Sequence, residues 1–187
     1  MKSLLTSVRL VVVTMLVCVG VYTLVILGVA KIVTPATAAG SLITASDGTV
    51  VGSRLIAQPF TQPRYFWPRP SAIDYNGAGA GGSNKSPTSE DLKTRAESIV
   101  AQYGATPENP LPAELAAASG AGLDPHITEH AARYQAARVA AARGLSQAEV
   151  EAIIEQQAFA SGGFFTPDRL VNVLELNLAL DAHGATR

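Results

Sequence analysis

The sequence predicts an α+β protein: one N-terminal transmembrane helix followed by a single soluble domain with a small N-terminal β region and about four helices. Three observations carry this. An uncharged apolar run opens the chain, β-branched residues broken by turn signals follow it, and several helical stretches with recognisable start and stop residues fill the rest.

The apolar run extends from Leu10 to Ala30 without a charge. Its 21 residues span about 31 Å as a helix, matching a hydrocarbon core of roughly 30 Å. Arg9 and Lys31 bracket it. Ala36-Thr37-Ala38 fits a signal-peptide cleavage site, but the run exceeds the usual apolar core of a signal peptide, so the reading is a retained helix. Lys2 and Arg9 before it, against Lys31 after it, place the N-terminus in the cytoplasm and the domain outside. The expected organisation is a cytoplasmic tail at 1–9, the membrane helix at 10–30, a linker at 31–40 and the exported domain at 41–187.

Residues 41–56 read as a hairpin around Asp47-Gly48. Residues 57–70 hold four prolines and four aromatics, which excludes a helix interior and points to an extended segment packed on a surface. A glycine-rich loop follows at 76–86. Four helices are then predicted. The first begins with Ser86 as N-cap and Pro87 in the first turn, and stops before Gly104. The second runs from Thr128 to Arg143, stopped by Gly144. The third starts at Ser146, with Glu149 completing a capping box. The fourth runs from Thr166-Pro167 to near Gly184, with Leu170, Val171, Leu174, Leu178 and Asp181 on one face. Asn172 and Asn177 lie about 500° apart around that helix and so occupy different faces; amides there need hydrogen-bond partners inside the fold.

Beyond residue 40 the chain has 11 Lys and Arg against 15 Asp and Glu, a net charge of −4 that argues against a nucleic-acid partner. The one cysteine, Cys18, lies inside the apolar run, which leaves the domain without disulfides or a thiolate metal site. Two motifs offer rival functions. Gly77-x-Gly79-x-x-Gly82 matches a dinucleotide-binding pattern, though no convincing strand precedes it; Gly81, Gly82, Ser83 and Asn84 of this loop, with Gln135, are the weak cofactor-binding candidates. His126-Ile-Thr-Glu129-His130 fits the inverted zinc-protease pattern, which would make the chain an exported zinc hydrolase. Against this, Thr128 reads as a helix cap, so the two histidines straddle a turn boundary. No metal site is expected, and no catalytic residue can be assigned. The sequence also lacks both the D-K-T-G phosphorylation motif of P-type pumps and the T-V-G-Y-G filter of potassium channels.

An ordered set of stretches resembles one family: Gly52-Ser-Arg-Leu-Ile-Ala-Gln58, Tyr65-Phe66, Arg69-Pro-Ser71, Tyr75, Gly81-Gly-Ser-Asn84, Ser119-Gly-Ala-Gly-Leu-Asp-Pro-His-Ile127, Gln135, Arg138-Val-Ala140, Arg143 and Val171-Asn-Val-Leu-Glu-Leu-Asn177. Together they resemble the C subunit of the Kdp potassium-transporting P-type ATPase. Ala121 and Thr128 stand where that family usually has serine. The resemblance implies a non-catalytic accessory subunit in a bacterial inner membrane, with partners in a channel-like potassium-binding subunit, a P-type ATPase subunit and the lipid bilayer. It implies no cofactor of the chain's own, ATP and potassium being handled by the complex. The family is also described as assisting ATP binding by the pump subunit, which for an exported domain must act indirectly. The residues it singles out are Gln58, Phe66, Arg69, Ser71, Gly120, Gly122, Asp124, His126, Arg138, Asn172 and Asn177. Gly120 and Gly122 are expected to serve positive φ or close backbone approach.

Overall fold

The computed structural model describes residues 2–45, 47–162 and 168–185. The chain divides into two compact units, Met1–Val51 and Gly52–Arg187. Among the described residues the element classes are those expected of an α+β protein with one long apolar helix at its start.

In the first unit, α1 covers Lys2–Val33 and buries none of its side chains within the protein. It extends beyond both ends of the predicted span, and it widens to π-helical turns over Leu16–Val21. Thr14 donates its hydroxyl to the Leu10 carbonyl (2.8 Å), which satisfies a polar group inside an apolar stretch. Residues expected as linker are partly helical: after Thr34, one turn of helix, α2 (Pro35–Ala38), precedes the hairpin strands β1 (Leu42–Thr44) and β2 (Val50–Ser53), the last two residues of which belong to the second unit. The hairpin turn forms where Asp47-Gly48 predicts it. The Asp47 carboxylate accepts from the N–H and hydroxyl of Thr49, and Gly48 takes φ +82°.

The second unit holds α3 (Glu90–Tyr103), the short α4 (Ala113–Ala116), α5 (Glu129–Arg143), α6 (Gln147–Gln157) and α7 (Val173–Ala185). A three-stranded antiparallel sheet has the order β3 (His126–Thr128), β5 (Arg169–Asn172), β4 (Phe159–Ala160). Helix ends follow the sequence signals closely. Gly104 and Gly144 both terminate their helices in the left-handed region, Thr128 accepts from the Ala131 N–H as N-cap, and Ser146 and Glu149 form the full capping box.

Two predicted starts are corrected. Ser86 does not begin α3. Its carbonyl accepts from the Ser89 N–H in a separate turn, and the helix opens three residues later, where Glu90 and Asp91 suit the positive end of the helix dipole. The fourth helix does not include Leu170 and Val171. These lie in β5, where Ile127 faces Val171 and Thr128 faces Leu170; Thr166-Pro167 falls outside the described residues. α7 starts at Val173 because the Asn172 carboxamide accepts from the N–H groups of Leu174 and Glu175, ending the strand and capping the helix in one step.

The core lies where α5, α6 and α7 meet β5. Ile127, Val139, Val150, Ile154, Val171, Leu176 and Leu180 are fully buried. Ala131, Ala132, Ala136 and Ala140 form the buried side of α5, so neighbouring backbones can approach closely. On α7 the buried residues include Leu174, Leu176 and Leu180, while Leu178, expected on the apolar face, is only half-buried.

Candidate functional site

Residues 57–70 cross the surface of this core without regular structure, as their prolines dictate. Four polar side chains fasten this strap. Phe66 inserts its ring at zero exposure, which forces its peptide groups out of water. Asn177 answers both: its Oδ1 accepts from the Phe66 N–H (2.8 Å) and its Nδ2 donates to the Phe66 carbonyl (3.1 Å). Gln135 repeats the arrangement one residue on, accepting from the Trp67 N–H (2.9 Å) and donating to its carbonyl (3.1 Å). Both amides are almost wholly buried. Arg138 lies 3.8 Å over the Trp67 ring and donates to the carbonyls of Pro63 and Tyr65 and to Gln135. Arg143 donates to the Arg64 carbonyl and to Asp181, whose other oxygen accepts from the Tyr65 hydroxyl.

A second constellation joins the glycine-rich loop to the 119–124 loop. The Gly81 N–H donates to the Ala121 carbonyl (2.9 Å), and a β-carbon on Gly82 would sit 2.9 Å from the Gly120 carbonyl oxygen. Gly122 has φ +67°, and a β-carbon there would meet Ile73 at 2.6 Å and the Gly81 carbonyl at 2.8 Å. Gly122 therefore needs both freedoms that glycine offers. Gly120 has an ordinary φ and open space around it; its role is to present a carbonyl to Gly82. Asn84 holds φ +51° at the exposed end of the loop, and Ser83 lines a shallow groove with Leu92, Arg95 and Ala113.

Around these loops the remaining motif residues form a polar frame. Ser71 accepts from the N–H groups of Ile73 and Tyr75, and the Tyr75 hydroxyl donates to the Arg69 carbonyl. Burial pushes the Tyr75 phenol up to about 12, so it stays a donor. Arg69 pairs with Asp124 at 3.3 Å. Asp124 also accepts from the His126 N–H, and its Oδ1 lies 3.3 Å from His126 Nδ1. The hydrogen bond with the His126 side chain, helped by that backbone N–H and the Arg69 charge, holds the Asp124 carboxyl below its ordinary range despite burial. Gln58 packs its amide over Gly52, where any β-carbon would collide with it. Asn172 donates to the Arg54 carbonyl besides capping α7.

The rival motifs come apart in this setting. His126 sits on β3 with its ring against Phe159, while Glu129 and His130 open α5. Glu129 accepts from Arg133 and pairs with Arg169, so it is held by two cations instead of facing a metal. Among the described residues no three His, Cys, Asp or Glu side chains are grouped to hold a metal ion. In the glycine-rich loop, the N–H groups of Ala78, Gly79 and Gly81 are all engaged inside the protein. The helix that follows begins with two acidic residues. Neither feature suits a pyrophosphate.

The ordered motifs thus lie on loops and helix faces that bind one another, and the comparisons identify the pattern. A family model for KdpC, described as K+-transporting ATPase, c chain, matches residues 4–182. The chain belongs to the KdpC family. It is 68% identical over 181 residues to the potassium-transporting ATPase KdpC subunit of Parvibaculum lavamentivorans, covering 97% of both chains. The corresponding subunits of Citrifermentans bemidjiense and Geobacter sulfurreducens are 44% and 45% identical over 185 residues, covering 97% of this chain and 97% and 98% of theirs. Membership in the KdpC family makes the chain a subunit of a transport ATPase and not its catalytic chain. Sequence reasoning missed the aromatic cover on the strap: Trp67, Tyr103 and Tyr134 contact one another in series. Their wide separation in the sequence gave no local signal.

Proposed function

We propose that the chain is a non-catalytic accessory subunit of an ATP-driven potassium uptake pump, anchored by α1 and assembling or stabilising the complex. Its partners are a channel-like potassium-binding subunit and a P-type ATPase subunit. The single supporting observation is that the shared motif residues brace the domain's own loops: Asn177, Gln135, Arg138, Ser71 and Asp124 are all bonded to backbone or to each other. Such a site holds a surface in shape and performs no chemistry by itself. The domain lies outside the membrane, following the excess of Lys2 and Arg9 over Lys31. ATP and potassium are handled by the complex, the chain carrying no cofactor of its own, and any help with ATP binding is transmitted through coupled conformations.

Two measurements test this. Pull-down of the solubilised complex through a tag on the pump subunit should lose yield when Gly122 is replaced, with α1 still inserted. A cysteine placed at Gly79 (with Cys18 replaced by serine) should react with an impermeant thiol reagent added outside intact cells. Full assembly without a functional copy of this chain, or labelling only after lysis, would refute the respective halves of the reading.

A further inference from the structure

We propose that the β1–β2 hairpin is a second membrane contact, lying in the lipid headgroup layer with Leu42 and Val50 toward the acyl chains. The inference rests on the reading of α1 as a membrane span and extends it.

Three observations meet here. The first is composition. After Lys31, the stretch from Ile32 to Ser53 contains one charged residue, Asp47, at the hairpin tip. A solvated linker and hairpin of that length would ordinarily carry several charges.

The second is the connection. Nothing between α1 and β1 is slack. Thr34 donates its N–H to Ala30, Ala38 to Thr34, Ala39 to Pro35, Gly40 to Thr37 and Ser41 to Ala36. Gly40 at φ +88° and Ser41 at φ +50°, both in the left-handed region, then lead directly into β1. Counted from Ala30, the rest of α1 rises only about 4.5 Å, and one headgroup layer is roughly 5–8 Å thick. The hairpin is therefore tied by a bonded turn to the place where the helix leaves the hydrocarbon.

The third is exposure. Leu42 is 56% and Val50 58% exposed, although an isolated two-stranded hairpin is marginal in water without an apolar surface to rest on. Lipid supplies such a surface, and an amphipathic element with apolar residues on one side and a polar tip suits the interface. The tip is polar because Asp47 holds both the N–H and the hydroxyl of Thr49.

The test uses the full chain with Cys18→Ser and single cysteines at Leu42, Val50, Ile32, Val21 or Lys93, each carrying a nitroxide. Collision with oxygen and with a water-soluble nickel chelate is measured in phosphatidylcholine–phosphatidylglycerol liposomes and again in the purified complex. The ratio of oxygen to nickel collisions at 42 and 50 should resemble that at Ile32, at the end of the helix, and exceed that at Lys93 several-fold. A ratio like that of Lys93 at both hairpin sites, with Val21 in lipid, overturns the hairpin contact alone. Exclusion of both collision partners at 42 and 50 in the complex would show a protein cover and overturn it equally. A water-like ratio at Val21, in the middle of the apolar run, would sink the spanning reading and the hairpin contact together.

Discussion

Replacing Asn177 with leucine keeps a side chain of similar size while removing both hydrogen bonds to Phe66. The substituted side chain stays in a site that is 2% exposed, beside a residue at zero exposure, so water cannot readily substitute for the lost partners. Two buried backbone groups are then orphaned, one donor at 2.8 Å and one acceptor at 3.1 Å from the lost amide. At about 1–3 kcal/mol for each unsatisfied group, the expected loss is about 2–6 kcal/mol, offset in part by the leucine's own burial. Trp67 is the only tryptophan in the chain and follows Phe66 directly, so its fluorescence reports the strap while far-ultraviolet circular dichroism reports the helices. In urea melts of the detergent-solubilised chain, Asn177→Leu should shift the fluorescence midpoint at least as far as the helical one. Gln135→Leu should behave alike, and the double variant should lose less than the sum because the two amides hold consecutive residues. Parent-like melts by both probes would refute the claim that the amides hold the strap.

Gly122→Val should destabilise the domain severely, since it adds a β-branched residue at positive φ and a clash with Ile73 and the Gly81 carbonyl; Gly79→Ala, with open space around it, should melt within about 0.5 kcal/mol of the parent. Asp124 has a lowered folded-state pKa, so its ionised form favours the folded state: that stability is present at neutral pH and is lost as pH falls below the ordinary carboxylate range. Melts of Asp124→Asn against the parent should differ at neutral pH and converge at low pH. Leu176→Ala, at zero exposure in the core, should lower stability by about 2–5 kcal/mol in the same urea melts.

The legible part of this fold is its punctuation. Gly104, Gly144, Thr128 and Ser146 announce helix ends through local rules, because capping depends on residues three or four apart. The long apolar helix is equally plain, since its length and lack of charge can be read directly from the run. The strand at Arg169–Asn172 was not legible, because four residues with apolar Leu170 and Val171 fit a short strand or a helix start equally well. Its place is set by β3, more than forty positions earlier, and no local pattern carries that pairing. A cue did exist for the helix start: Asn172 with Glu175 three residues on is an N-terminal signature of its own. The motif residues could be picked out in the sequence by resemblance, yet their partners could not. Asn177 and Phe66 are separated by 111 positions.

Those long separations explain why a domain with no disulfide places so many hydrogen bonds on an irregular strap. Residues 57–70 contribute no ladder or helix of their own, and their prolines remove donors that regular structure would use. What the strap does offer is carbonyl oxygens and the N–H groups of Phe66 and Trp67. Arg138 takes two of the carbonyls, Arg143 a third, and the amides of Asn177 and Gln135 take both groups on each of two residues. Each of these partners lies on α5 or α7, helices fixed in the core by the neighbouring buried residues Val139, Leu176 and Leu180. The strap therefore inherits its position from the helices, and a change in the register of α5 or of α7 would move together all the bonds which that helix supplies. That coupling is what an irregular segment requires, because it keeps its shape only as well as the elements that hold it.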